Sequence, residues 1–276
     1  MPTRLMTDEE ILKLKQVEIE IFDELDRVCR KNNIEYYMVG GTLLGSVRHS
    51  GFIPWDDDID VVMYRSDLEK LEKLYYDGEF NSRYFLQTEN TDEYYPLMTA
   101  KLRKNNTLFL EDCIDDDVES HCGIFIDIFP LDDISSLESS TVKRNAKIVS
   151  ILTTVICEKC GYKYGISKKT KLFTNLTSLL GIKKLKKIRH NLMTAENNKG
   201  YDKTTIYASN YGYVKQCRTK DVYAPAVDLI FENKKYMAPN KYCDFLEQLF
   251  GENYMELPPI EKRVTRHPIK KIEFGE

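Results

Sequence analysis

Ile11, Leu14, Val17, Ile21, Leu25 and Val28 recur at helical spacing behind Thr7 and Glu10, which stand at the spacing of a capping box. This pattern predicts an amphipathic first helix. The period then shortens, and Ile34 to Val39 reads as a short strand ending at Gly40-Gly41. A short helix is expected from Thr42 to His49, with Thr42 as its N-cap. Gly51 to Trp55 forms a loop that delivers the chain into Asp56-Asp57-Asp58-Ile59-Asp60 and the apolar strand Val61-Val62-Met63. Asp67 is expected to cap the next helix, which carries Leu68, Leu71 and Leu74. Leu97 to Leu102 and Thr107 to Leu110 read as two strands joined by a turn at Lys104-Asn105-Asn106. After an acidic stretch, Gly123 to Phe129 is a further strand, ended by Pro130. The chain from Leu137 to Asn197 is largely helical in pattern. The last third mixes short strands such as Leu229 to Phe231 with a helix from about Lys241 to Leu249.

This order predicts an α/β (α+β) core, a mixed sheet flanked by helices, with an additional helical lobe. The expected division is 1–136 as the core, 137–200 as a basic helical insertion or lobe, and 201–276 as a C-terminal part packing on the core. Composition agrees with an ordinary globular chain: 42% of residues are hydrophobic and 30% charged, which excludes wholesale disorder. Charge is unevenly placed. Thirteen Lys or Arg stand against one acid, Glu158, between Thr141 and His190, while the rest carries 27 bases and 43 acids. A basic segment on an acidic body suggests an anionic partner, a membrane surface or a charged polymer; the alternative is a solvated helical face. The acidic residues of the first helix are unlike an export signal, and no apolar run approaches the roughly 20 residues of a membrane span. The expected location is cytoplasmic, with peripheral contact at the inner face of the membrane through 141–190. Seven irregularly spaced cysteines do not form a disulfide framework. Cys157 and Cys160 make a lone CxxC without the second pair that zinc requires, so buried structural thiols are expected.

The chemistry begins with Asp58-Ile59-Asp60. Side chains alternate along a strand, so Asp58 and Asp60 project together while Ile59 faces the apolar side. Two carboxylates so close repel and need a cation between them, and hard oxygen ligands favour magnesium or manganese. Ile124, Ile126 and Ile128 share one face of a second strand, leaving Asp127 on the other with Phe125 and Phe129. A carboxylate there is costly to bury unless it is paired or binds metal. Gly40-Gly41-Thr42 adds a corner where backbone N–H groups can approach a phosphate closely. Together these describe two-metal phosphoryl transfer. Acidic clusters are more often solvated loops or calcium sites, but Trp55 and an apolar strand frame this one tightly. Glu111, Asp112, Asp115, Asp116, Asp117 and Glu119 lack such a frame and read as a solvated loop.

The run from Gly40 through Gly45-Ser46-Val47-Arg48-His49-Ser50-Gly51-Phe52-Ile53-Pro54-Trp55 to Asp60 resembles the signature of the LicD family of phosphotransferases. That family is related to fukutin within the nucleotidyltransferase fold superfamily. Ala100-Lys101-Leu102-Arg103 with Thr107, Phe125 to Asp132, and Leu257-Pro258-Pro259 extend the resemblance. It covers the first half of the chain well and the last quarter loosely; 137–200 carries no motif. The resemblance implies metal-dependent transfer of phosphocholine from CDP-choline to a sugar hydroxyl of teichoic acid or lipopolysaccharide, releasing CMP. Asp58, Asp60 and Asp127 would then be catalytic and hold two Mg2+ or Mn2+ ions, and Gly40, Gly41 and Thr42 would contact the donor phosphates. Lys101 and Arg103, two apart on a strand, would face the site and neutralise the diphosphate. Arg48 would bind phosphate, and His49 is either catalytic or a loop histidine. Trp55 is either an aromatic face for choline or a loop anchor, and Tyr94, Tyr95, Tyr211 and Tyr213 are candidates to complete a cage. Lys183, Lys184, Lys186, Lys187 and Arg189 would hold the enzyme near a lipid-linked polyanionic acceptor. Alternatives are transfer of ribitol or glycerol phosphate, transfer of the nucleotide itself, or a non-catalytic glycan-binding scaffold. No nucleic-acid partner is expected.

Overall fold

Thr7 and Glu10 do form a capping box: Thr7 N–H donates to the Glu10 carboxylate at 2.8 Å, and Glu10 N–H to the Thr7 hydroxyl at 3.2 Å. Helix α1 (Asp8–Lys31) follows and buries Leu14, Val17, Ile21, Phe22, Leu25 and Val28. The computed structural model describes residues 2–163, 180–263 and 267–275. In chain order come β1 (Tyr37–Met38), α2 (Gly40–His49), β2 (Asp60–Tyr64), α3 (Arg65–Tyr76), β3 (Tyr84–Gln87), β4 (Ala100–Lys104), β5 (Leu108–Glu111) and β6 (Phe125–Ile134). The sheet runs β1-β2-β6-β4-β3, with α1 packed on β4 and β6. Only β2 and β6 pair in parallel, so the sheet is mixed, as the element order predicted. Helices α4 (Ser140–Lys159) and α5 (Ile182–Met193) pack on each other. Strands β7 (Lys203–Thr205) and β8 (Arg218–Thr219) extend the sheet from the far end of β6. The hairpin β9 (Val227–Phe231) and β10 (Lys234–Ala238), helix α6 (Tyr242–Phe250) and strand β11 (Ile269–Glu273) complete the described chain.

Several expected elements differ in detail, each for a local reason. The strand before Gly40 is reduced to Tyr37–Met38. The two strands around Lys104-Asn105-Asn106 do not pair with each other. Asn106 takes a φ of 60° and the Thr107 hydroxyl donates to Lys104 O, a corner that turns β5 away to pair with β11 while β4 stays between β3 and β6. Pro130 does not end its strand. Asp127 N–H points to β2, so by alternation the Pro130 nitrogen faces the gap between Ile128, which pairs with β4, and Asp132, which pairs with β7. No ladder bond is lost there. Asp67 is not a cap: α3 begins at Arg65, and Asp67 binds Lys70 from the first turn. Thr42 is not a cap either, because α2 begins at Gly40.

The main core lies between the sheet, α1, α2 and α6. A second cluster of Leu110, Ile114, Leu152, Val155, Ile156 and Leu185 fastens α4 and α5 beside β5 and also buries Cys157 and Cys160. Part of the basic segment is turned inward, contrary to its expected role as a docking surface. Lys186 donates to the carbonyls of Glu89, Asp92 and Glu93, the last at 2.7 Å. Arg189, fully buried, donates to Pro96 O and Leu97 O and meets the Glu89 carboxylate at 3.2 Å. Lys183 pairs with Glu93, while Lys184 and Lys187 are exposed. A loop of converging carbonyls needs donors, and the helix supplies them. Lys168, Lys169 and Lys171 of the same segment lie outside the described residues. Among the described residues no helix is long and apolar enough to cross a membrane.

One buried ion pair joins α3 to the sheet. Arg65 donates to both oxygens of Asp132 at 2.9 and 2.6 Å, and Asn197 donates to the same carboxylate. Asp132 is inaccessible to solvent, so removing its cation strands a charge. Arg65→Leu is expected to lower unfolding free energy by about 3–5 kcal/mol, measured by urea denaturation. A loss below about 1 kcal/mol would show that the pair is dispensable.

Candidate active site

The parallel register sets Asp60 on β2 directly beside Asp127 on β6, and Asp127 N–H donates to Ile59 O at 2.9 Å. Asp60 is pinned on both backbone groups: its N–H donates to the Thr42 hydroxyl at 2.8 Å, and its carbonyl accepts from Val39 N–H at 3.1 Å. Thr42 is therefore a buried positioning residue, which corrects its expected place among the phosphate contacts. Asp58 lies before β2 begins, yet it faces the same cavities as Asp60 because Ile59 is anchored in the core. The glycine corner is packed hard against these acids. Gly40 has a φ of +57°, and a Cβ on Gly41 would stand 2.2 Å from an Asp56 oxygen. No larger residue fits there without moving the carboxylate.

Burial and repulsion dominate the electrostatics. Asp58 is pushed up to about 7, first by burial and then by Asp56, and Asp56 to about 6 by burial and Asp57. Asp60 is raised well above the usual carboxylate range by burial, Asp58 and Asp127. Carboxylate oxygens of Asp56, Asp57 and Asp58 fall within 4.8 Å of one another. This cluster overlaps the expected trio of Asp58, Asp60 and Asp127 at Asp58 alone. The positive groups answer only part of this charge. Lys101 Nζ lies 3.0 Å from Asp127 Oδ2, and His267 Nδ1 lies 2.7 Å from Asp57 Oδ1. That hydrogen bond raises His267 to about 9. The second oxygen of Asp57 is buried without a partner.

Two cavities meet at these acids and share Asp57, Asp58, Asp60 and His267. One, of about 410 Å³, reaches between β6, β5 and α4 past Lys101, Asp127 and several aromatic rings. The other, an open groove of about 830 Å³, runs from Gly40, Gly41, Arg48 and Trp55 along the segment Asn253 to Lys262.

Of the remaining expected residues, Arg103 is corrected. It is 1% exposed and donates to Gln87 and to Gly123 O, so it braces β3 against β4 instead of facing substrate. Arg48 lines the groove while donating to the carbonyls of Tyr254 and Glu256 at 2.9 and 3.0 Å. The Trp55 ring meets His49 edge-on and carries the Arg263 guanidinium at 5.5 Å from its centroid. Tyr211 lines the groove, Tyr213 stacks on Tyr207, and the Tyr95 hydroxyl is buried against Thr99. Among the described residues, Thr42, His49, Tyr94 and Tyr95 line neither cavity.

Sequence reasoning missed Glu18, Asp57, Glu111, Tyr207 and His267. Glu18 had left a signal: it stands among Leu14, Val17, Ile21 and Phe22 on the apolar face of α1, where a carboxylate is out of place. It is 3% exposed and raised well above its usual range by burial, Asp58 and Asp57. Glu111 was assigned to a solvated loop, but it ends β5 and lines the smaller cavity. Nothing local in sequence marks His267.

Residues 33–148 match the LicD/FKTN/FKRP nucleotidyltransferase domain. The chain is 27% identical over 256 residues to the lipopolysaccharide cholinephosphotransferase LicD of Haemophilus influenzae, covering 90% of this chain and 92% of that protein. It is 44% identical over 47 residues to the human ribitol 5-phosphate transferase FKRP, covering 17% of this chain and 10% of that protein. An uncharacterized protein of Rickettsia prowazekii is 40% identical over 55 residues, 20% of this chain and 21% of its own. Residues 33–148 thus carry a domain of LicD/FKTN/FKRP type, which contains the motif from Gly40 to Asp60, and the similarity to a LicD cholinephosphotransferase runs along nine-tenths of the chain.

Proposed function

We propose that this protein transfers phosphocholine from CDP-choline to a hydroxyl of a cell-surface glycan, lipopolysaccharide or teichoic acid, releasing CMP on the cytoplasmic side. The observation that carries this reading is the nearly full-length similarity to a lipopolysaccharide cholinephosphotransferase, with the acids of the matched motif gathered between two cavities. A second reading, ribitol phosphate as cargo, draws on the shorter similarity to the ribitol 5-phosphate transferase.

Divalent metal fits the residues present. The donors are all carboxylate oxygens, several share a concave floor, burial raises three of them, and one Asp57 oxygen has no partner. Asp58, Asp60 and Asp127 would hold the ions, with Asp56 or Asp57 within reach of the same cluster. Bound magnesium or manganese supplies a lowered pKa for the attacking hydroxyl and charge stabilisation for the departing CMP oxygen. Lys101 places an ammonium beside Asp127, where a donor diphosphate adds negative charge. Gly40 and Gly41 let the start of α2 approach that diphosphate, and Arg48 steadies the groove wall from the last turn of the same helix.

The raised carboxyls make a pH prediction for metal-free protein. A carboxyl whose folded value exceeds its unfolded value binds more protons when folded, so stability falls as pH rises from about 4 to 7. Metal-free protein is expected to melt several degrees lower (~5 °C) at about pH 8 than at about pH 5. Magnesium or manganese restores the difference at the higher pH, and Asp58→Asn reduces both effects in thermal scans. Melting that ignores both pH and cation would remove the metal from this reading.

Activity is tested by CMP release from CDP-choline, CDP-ribitol and CDP-glycerol in parallel, with magnesium and a glycan acceptor extract. Release from CDP-choline is expected, with Asp58→Ala or Asp127→Ala lowering it about 10²–10³-fold. Release from CDP-ribitol alone would keep the phosphotransfer and change the cargo, and silence with every donor would overturn it.

A further inference from the structure

The smaller cavity carries more negative charge than the phosphoryl chemistry uses. Beyond the floor aspartates it is lined by Glu18 and Glu111, and its positive groups among the described residues are already engaged, Lys101 with Asp127 and His267 with Asp57. Glu18 is almost wholly buried, and its Oε2 has no hydrogen-bond partner. The same cavity is lined by Phe109, Phe125, Phe129 and Tyr207. One of these rings already faces a cation, since Lys101 Nζ lies 3.2 Å from the Phe125 centroid. The open groove is less acidic: beside Asp56 and Glu256 it is lined by Arg48 and Lys262, and the Trp55 ring there carries the Arg263 guanidinium.

We propose that the smaller cavity is the subsite for the alcohol head of the transferred group and selects a quaternary ammonium, with Glu111 supplying charge, the unpartnered Glu18 carboxyl lining the same cavity, and Phe109, Phe129 and Tyr207 supplying ring faces. This rests on the phosphotransferase reading above. A trimethylammonium group has no N–H to donate, so it is held by aromatic faces and nearby negative potential instead of by hydrogen bonds. With its phosphorus over the floor aspartates, the donor directs its cationic end away from Arg48 and Lys262 and into the more acidic cavity. Trp55, one of the rings that the sequence offered for choline, is excluded because a guanidinium already lies over it. A neutral polyol would gain nothing from the ring faces and would leave Glu111 beside an already acidic floor.

Titration calorimetry of the full chain in saturating magnesium, with phosphocholine, glycerol 3-phosphate and ribitol 5-phosphate as probes, tests this directly. Phosphocholine is expected to bind at least about tenfold more tightly than either polyol phosphate. Glu111→Gln and Phe129→Leu should each weaken it by about tenfold while leaving the affinity for CMP unchanged. CMP binding and thermal melts report whether each variant is folded. Equal affinity for phosphocholine and the polyol phosphates, or unchanged phosphocholine affinity in folded variants, overturns the assignment. CMP release from CDP-ribitol without phosphocholine selectivity would leave the phosphotransferase reading standing and this subsite wrong. Selective phosphocholine binding without turnover of any donor would do the reverse.

Discussion

Carboxylates crowd the start of β2 because three separate chain segments deliver them to one place: Asp56 to Asp60 ahead of the strand, Asp127 from its parallel neighbour and Glu18 from α1. In a concave, poorly solvated setting these groups raise one another's pKa, and the protein must hold them together against that repulsion. Much of the local architecture does so. Thr42 and Val39 fix both backbone groups of Asp60, Ile59 anchors the residue between two acids in the core, and the absence of side chains at Gly40 and Gly41 lets α2 close on the acids. Lys101 and His267 neutralise one carboxylate each. Asp56, Asp58 and Asp60 are left with repulsion as their main mutual interaction, and the proposed cation site rests on that imbalance.

How much of this was legible in the sequence depended on whether the signal was local. The capping box, the apolar face of α1 and the alternation of Ile124, Ile126 and Ile128 against Asp127 are written within a few residues, and each appears in the structure where the pattern puts it. Alternation also placed Asp58 and Asp60 on the same side, although the strand starts only at Asp60. It held for Lys101, which lines the cavity, and failed for Arg103, because Gln87 and the Gly123 carbonyl capture its guanidinium before it reaches the cavity. Strand periodicity gives direction and says nothing of what waits along it.

Non-local pairing accounts for most of the rest. β5 joins β11 from the far end of the chain, and that pairing brings Glu111 and His267 to the cavity together. Neither residue has a neighbour in sequence that could announce this. Charge counting misled for a related reason. The basic run on α5 looked like a surface for polyanions, yet Lys186 and Arg189 are consumed by carbonyls of the 89–97 loop and by Glu89. A net charge reports how many cations a segment holds, and their partners decide whether any are left over.

The same accounting explains why the two cavities differ. The groove and the smaller cavity share their floor, but Arg48 and Lys262 offset Asp56 and Glu256 on one wall, whereas Glu18 from α1 and Glu111 and Phe109 from β5 stand on the other. A substrate spanning the shared floor therefore meets an electrostatic gradient fixed by which elements were placed on each side. An elongated donor with a negative middle and a cationic end has one favourable direction across such a gradient. Reversing it would set the cation beside Arg48 and the nucleotide among Glu18 and Glu111, an arrangement unfavourable at both ends.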